Sequence, residues 1–514
     1  MTDNQYEIPS VHDLITQHQL NLPETVTAVI DGSVQTDRAS AFKLQSVCPV
    51  NAEVTYAVQE SDESEVNTAV AAARHAFDHT DWQYLSHTQR KAILYKARDA
   101  IREHSQELAA IQAFEVGIPL GGLQAMHMPR TVENFEFFIE VAGTLGGEAY
   151  TQTRNYLSVV TREPVGVCAL LTPWNAPTVL VSMKLAAALA TGNTVVIKAS
   201  EYSPYTLQRF VEIINNAGIP PGVVNLVNGR GHITGQTLVE HPDVDVIGFV
   251  GGTNTGKAIM SSASGTLKKV GMELGGKSAN IVTAEANLED AIDGSLIAIL
   301  AGNGEQCLAG SRILLHQAIA DEFIDKFTQR MANIKVGNPF DSDVEVGPLA
   351  FASHFEKVLS YVDIAKSEGA EILVGGKAAD GFSSGYYFEP TVVLADNSTR
   401  VCREEIFGPF VAVQKYKDLD EAIAIANDSD FGLVSYVWSN DLPTVMQCSR
   451  RIKAGTVWVN TPLTRDLRAP FGGYKQSGVG RDGLHASIEL FTEEKTTMLP
   501  TQSLFIPKMG MSDN

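Results

Sequence analysis

Apolar residues along this chain alternate between two periods. From 165 to 273, short apolar runs bounded by Gly and Pro alternate with stretches of helical spacing. Residues 165–171 read as a buried strand, 178–189 as a helix ended by Gly192, and 194–198 as a strand. Ser203-Pro204 opens a helix that stops at Gly218. Strands follow at 223–227, 246–250 and 268–273, with helices at 233–240 and 255–262 between them. A strand–helix repeat with short connections predicts a doubly wound parallel sheet.

Upstream, residues 65–77 and a long run from 88 to 115 have helical periodicity, with Ile93, Ala97, Ile101, Leu108 and Ile111 on one face. Downstream of 274 a second α/β unit is expected, with helices near 288–300 and 318–331 and strands near 312–316 and 456–460. Residues 148–161 and 493–506 are β-prone and have no strand partner in either unit, so they read as a protruding arm for self-association. The expected division is a cofactor domain at 1–145 and 165–273, a catalytic domain at 274–483, and an arm at 146–164 and 484–514.

A chain of 514 residues has room for several such units. Its net charge of −21 disfavours nucleic acid and anionic membrane as partners. Five cysteines without a C-x-x-C pair suggest reduced thiols rather than disulfides or a zinc site. The start of the chain lacks the basic and apolar regions of a signal peptide. The uncharged window 165–183 is interrupted by Pro173, Trp174, Asn175 and Pro177, which suits a strand, loop and helix better than a membrane span. A cytoplasmic location follows as an expectation.

Ligands of a doubly wound sheet bind at the carboxyl ends of its strands. Thr172 to Asn175, Lys198, Gly251 and Glu273 all fall there. Cys307, flanked by Gly302, Gly304 and Gly310, is a candidate thiol nucleophile, although most cysteines are small core residues. Glu273, ahead of Gly275-Gly276, can serve as a general base or simply be a solvated acid at a strand end. The Asn175 amide can donate to an oxyanion or merely shape a turn between two prolines. Lys198 and Glu201 can bind ribose hydroxyls or form a surface ion pair. Gly251-Gly252-Thr253-Asn254-Thr255-Gly256 has the position of a phosphate-binding turn but lacks the G-x-G-x-x-G pattern. No metal-ligand motif occurs.

Together these segments resemble the aldehyde dehydrogenase superfamily. The resemblance rests on Thr-Pro-Trp-Asn (172–175), Lys-Ala-Ser-Glu (198–201), Phe-Val-Gly-Gly-Thr-Asn-Thr-Gly (249–256) and Glu-Leu-Gly-Gly-Lys (273–277). It continues through Gly-Glu-Gln-Cys-Leu-Ala-Gly-Ser-Arg (304–312), Glu-Glu-Ile-Phe-Gly-Pro (404–409), Gly-Thr-Val-Trp-Val-Asn (455–460) and Pro-Phe-Gly-Gly-Tyr-Lys-Gln-Ser-Gly (470–478), all in the family's order. The resemblance implies non-acylating, NAD-dependent oxidation of a small-molecule aldehyde to its acid. Cys307 would attack the carbonyl, Asn175 hold the oxyanion, Glu273 activate the water that opens the thioester, and Lys184 relay a proton. Cofactor contacts are implied at Thr172, Trp174, Lys198, Glu201, Gly231, Gly251, Gly252, Thr253, Gly256, Leu274, Glu405 and Phe407. Glu201 favours NAD, because a carboxylate accepts from a ribose 2′-hydroxyl and repels a 2′-phosphate, with NADP a secondary option. A homodimer or homotetramer is implied as well.

The chain departs from the family pattern at Gly252, where serine is frequent, and at Ala199, where proline is. Ala176 and Met183 stand where bulky aromatics are common, which implies a wide tunnel for a bulky or polar aldehyde. Arg465 and Arg468, at the expected tunnel mouth, either meet a carboxylate on the substrate or form a solvated loop pair. The alternatives to the main reading are a CoA-acylating semialdehyde dehydrogenase, which Glu273 disfavours, and a structural oligomer that retains the fold without turnover.

Overall fold

The computed structural model describes residues 6–510; the ends of the first expected domain (1–5) and of the expected arm (511–514) lie outside the described residues. Five parallel strands form the centre of an eight-stranded sheet, in the order Lys269–Glu273, Val246–Val250, Val167–Leu171, Thr194–Lys198, Val224–Val227. The three middle strands are buried at every position. Helices on both faces explain why these runs are continuously apolar instead of alternating. Antiparallel strands close the two edges, Gly478–Val479 on one side and Val29–Ile30 with Ser33–Val34 on the other. The register pairs Leu171 with both Lys198 and Phe249, and Val250 with Glu273, so the carboxyl ends are level. Chain order reverses on either side of Val167–Leu171, which opens a crevice beside it.

A seven-stranded sheet carries the later motifs. Its order is Glu371–Val374, Thr391–Leu394, Phe410–Tyr416, Arg312–His316, Ala279–Val282, Val434–Trp438, Thr456–Val459, parallel except at the first pair. The two β-prone segments pair with each other. Thr492–Pro500 runs antiparallel to Tyr156–Pro164, and Glu148–Tyr150 adds a third strand. The tail strand ends at Pro500, short of the expected 506.

Two expectations need correction. The run 88–115 is two helices, His87–Glu103 and Ser105–Val116. The Ser105 hydroxyl donates back to the Ile101 and Arg102 carbonyls, and His104 leaves helical geometry at φ −92°, ψ 12°. The helix expected at 233–240 begins as a wide turn, Gly231–Gly235, and becomes α-helical only over Gln236–Glu240. Among the described residues, no helix is long and apolar enough to cross a membrane.

Candidate active site

Asn175, Glu273 and Cys307 stand at or just beyond the ends of elements, whereas Lys184 lies mid-helix. Val167–Leu171 leads into the Thr172–Asn175 loop, and Pro177 starts the helix Pro177–Ala190 that carries Met183 and Lys184. Lys269–Glu273 ends on Glu273. Cys307 follows a tight turn in which Gly302 and Asn303 both take positive φ. These segments converge on a cavity of about 370 Å³ lined by Trp174, Asn175, Gly251, Gly252, Glu273, Leu274, Cys307, Glu405 and Phe407.

Four of the five cysteines are buried, and Cys307 is the partly exposed one. Burial pushes its thiol up to about 12, with Glu405 and Glu273 adding to the rise. The thiol is therefore protonated in the free protein, and a cation or base must activate it. The Asn175 side-chain amide donates one N–H to the Glu305 carbonyl at 2.8 Å, which leaves its second N–H for a ligand. The Cys307 carbonyl packs against Gly276, where a Cβ would stand 2.6 Å away.

Glu273 is buried, its Oε2 has no hydrogen-bond partner, and its Oε1 lies beside Gly472. Burial first and the nearby Asp482 charge second hold its carboxyl well above the usual range, against the opposing pull of Lys184, Arg465 and Arg481. Lys184 does not line the cavity. Its ammonium forms a buried ion pair with Asp482, at 2.9 and 3.1 Å to the two carboxylate oxygens.

Thr172, Lys198, Glu201, Gly231, Thr253 and Gly256 lie outside the cavity lining, whereas Gly252 and Glu405 are part of it. Lys198 and Glu201 pair at 3.3 Å, and Thr172 Oγ1 donates to the Lys198 carbonyl at 3.4 Å. Gly252 is the N-cap of the helix Thr253–Ala263, with no side chain capping its first turn and open space where a Cβ would be. Thr253 Oγ1 donates to the Gln476 carbonyl at 3.4 Å. Gly256 allows close packing on Leu274, since a Cβ there would stand 2.5 Å from Leu274 Cδ2. Gly231 starts the wide turn after Val224–Val227. Glu405 accepts from the Gly276 N–H at 2.9 Å, and burial raises its carboxyl.

Sequence reasoning missed Phe351, Ser353, His354 and Lys357, which line the cavity from the helix Ala352–Ser367 and the residue before it. Lys357 donates to the Glu405 carbonyl at 3.1 Å, and Phe351 stacks on Tyr202 at 3.6 Å. Their helical spacing resembles any amphipathic helix, so only the Gly347-Pro348 turn ahead of them offered a signal. Asp482 was missed too, because a lone acid after Gly-Arg does not announce a buried partner 298 positions away.

The two arginines expected at the tunnel mouth differ, and neither is in the cavity lining. Arg468 is exposed and pairs with Asp466 at 2.6 Å. Arg465 turns inward: Nη2 lies 3.0 Å from Met183 Sδ, the guanidinium sits 4.2 Å from the Phe471 ring centre, and Nε is buried without a partner. Burial lowers its pKa, while Asp482 and Glu273 oppose the shift. Among the described residues, no cluster of His, Cys, Asp and Glu could hold a metal ion.

Residues 36–497 match the model of the aldehyde dehydrogenase family. The chain is 42% identical over 441 residues to 5-carboxymethyl-2-hydroxymuconate semialdehyde dehydrogenase of Escherichia coli, covering 85% of this chain and 93% of that protein. It is 41% identical over 451 residues to betaine aldehyde dehydrogenase of Bacillus subtilis strain 168, covering 87% and 92%. The crystal structure of Staphylococcus aureus betaine aldehyde dehydrogenase in complex with NAD+ superposes with a TM-score of 0.93 at 36% identity, covering 98% of this chain and 99% of that one. The chain belongs to the aldehyde dehydrogenase family, and it is an oxidoreductase with that family's α/β fold.

Proposed function

We propose that the protein oxidises an aldehyde to its carboxylic acid with NAD as acceptor, through a covalent thioester on Cys307. The observation that carries this reading is that Cys307, Asn175 and Glu273 face one cavity beside an uncapped helix N-terminus. The residues present suit the dinucleotide. The free first-turn N–H groups behind Gly252 fit a diphosphate, Lys198 and Glu201 fit one ribose, and Glu405 and Phe407 fit the nicotinamide end. When bound, NAD supplies a hydride acceptor and a positive ring close to the thiol.

Cys307 passes its proton to solvent water in the cavity and adds to the aldehyde carbon. The resulting oxyanion is held by the free N–H of Asn175 and the Cys307 backbone N–H. Loss of hydride from that carbon leaves a thioester. Glu273, once ionised, takes a proton from water, and the hydroxide opens the thioester to release the acid and restore the thiol. The buried pair of Lys184 and Asp482 supports a path by which Glu273 passes that proton on. A water-activating carboxylate on the cavity favours hydrolysis over transfer to CoA.

The substrate is read as a bulky or polar aldehyde bearing an anionic group. The partnerless Nε of Arg465 supports this, and so does the carboxymethyl substrate in the E. coli relative's name. The exposed Tyr150, Met498 and Leu499 on the arm support self-association as a dimer or tetramer, and the reduced thiols support a cytoplasmic setting. Turnover of NAD with a panel of aromatic, hydroxylated, quaternary-ammonium and carboxylated aldehydes tests the reading. Reduction of NAD that is lost in Cys307→Ala and fastest with carboxylated aldehydes supports it. No NAD reduction with any aldehyde overturns it.

A further inference from the structure

Glu305, two residues before the nucleophile, has its carboxyl wholly inside the protein, and the chemistry proposed above gives that carboxyl no role. It accepts from the Ala350 N–H at 3.0 Å and lies 3.4 Å from His354 Nε2, while Oε2 has no partner. Burial holds the carboxyl far above its ordinary range and pushes the His354 imidazole down to about 4, so the imidazole is neutral near pH 7. A carbonyl can only accept, so the 2.7 Å contact between His354 Nε2 and the Phe407 carbonyl fixes the imidazole proton on Nε2. Phe407 itself has φ +68°, a left-handed backbone that a bulky side chain rarely adopts. Strain of this kind persists only where the surroundings impose it, and it concentrates at ligand sites.

We propose that Glu305 and His354 form a positioning strut that holds the Phe407 backbone, and Glu405 two residues earlier, at a fixed place across the cavity from Cys307. The inference rests on the dehydrogenase reading above. The strut joins the nucleophile loop to the wall expected to meet the nicotinamide end of the cofactor. Through its backbone carbonyl, Glu305 also anchors Asn175. Both residues are positioning residues. Neither exchanges a proton or a bond with substrate.

A matched pair of variants tests the strut. In His354→Gln an amide N–H can reach the place of Nε2, whereas the His354→Asn side chain is one bond too short. NAD binding is read by calorimetry in the absence of aldehyde, and turnover is read separately. We expect His354→Gln and Glu305→Gln to keep the NAD Kd within about threefold of wild type. We expect His354→Asn to raise it about tenfold, the scale of one lost buried hydrogen bond. In His354→Asn the KM for NAD rises in parallel, more than kcat falls, and the acceleration of Cys307 alkylation by NAD shrinks. Equal Kd values for His354→Asn and His354→Gln, with both proteins folded, overturn the strut. If neither variant folds, Glu305→Ala decides: a Kd about tenfold weaker supports the strut, and a Kd within about threefold of wild type overturns it. Failure of the dehydrogenase reading shows itself differently, as wild-type protein that binds NAD without reducing it.

Discussion

Replacing Gly472 by alanine moves the proposed base without touching it. A Cβ at this position would stand 2.6 Å from Glu273 Oε1, 2.8 Å from Arg481 Cδ and 3.1 Å from the Gly480 carbonyl oxygen. The Arg481 side chain can swing away, but the carbonyl oxygen belongs to the backbone. To reach a carbon–oxygen contact of roughly 3.4 Å, the Glu273 carboxyl must retreat by roughly 0.8 Å. Misplacing a reacting group by about 1 Å can cost on the order of 100-fold in rate. The expected loss in thioester hydrolysis is therefore about 10- to 100-fold, or about 1.4 to 2.7 kcal/mol. Gly472 also has φ +151°, which alanine tolerates poorly, so about 1–2 kcal/mol of stability should be lost as well. The atoms nearest the new methyl group belong to Glu273, Arg481 and Gly480 and not to Cys307 or Asn175, so thioester formation should proceed. Rapid-mixing measurement of NADH absorbance separates the two stages. We expect a burst of about one NADH per site followed by a steady state slowed at least tenfold. A full steady-state rate, or a burst lost in step with it, refutes the assignment of Glu273 to the hydrolytic step.

Three other outcomes follow from the same geometry. Asn175→Ala should lower kcat by about 100- to 1000-fold with little change in NAD affinity, because one oxyanion donor is lost; unchanged aldehyde turnover would remove Asn175 from the chemistry. Arg465→Gln should raise the KM of carboxylated aldehydes by tenfold or so while leaving uncharged ones unaffected, since a charge-assisted hydrogen bond disappears; equal effects on both classes argue against an anionic substrate. Glu305 should set a stability trend with pH. Its folded-state carboxyl is held well above the ordinary value, so its contribution is complete below about pH 4.3, the unfolded value, and is lost as pH rises towards the folded one. The Tm advantage of Glu305→Gln over wild type should therefore widen between pH 5 and pH 9, and a constant difference counts against a buried neutral carboxyl.

Much of this molecule is legible in the chain because its signals are local. The five parallel strands are short apolar runs bounded by Gly, Pro or a helix cap, and each needs only its own few residues to be read. Cys307, Glu273 and Asn175 stand at strand or turn ends, where the ordered motifs pointed. Other features depend on neighbours distant in sequence. Lys184 meets Asp482 and Glu305 meets His354 only after folding, and nothing near either residue marks the partner. Arg465 and Arg468 are three residues apart and chemically alike, yet packing against Met183 and Phe471 half-buries one while water keeps the other.

The sequence by itself determined the doubly wound sheet, because periodicity and glycine placement act over a few residues, and its ordered motifs singled out Cys307, Glu273 and Asn175 as candidates. The tertiary structure decided which charges lose their water. Burial pushes the Cys307 thiol up to about 12, holds the Glu273 and Glu305 carboxyls well above their usual range, and leaves Lys184 tied to Asp482. Desolvation depends on every atom that closes around a group, and those atoms come from segments hundreds of residues apart.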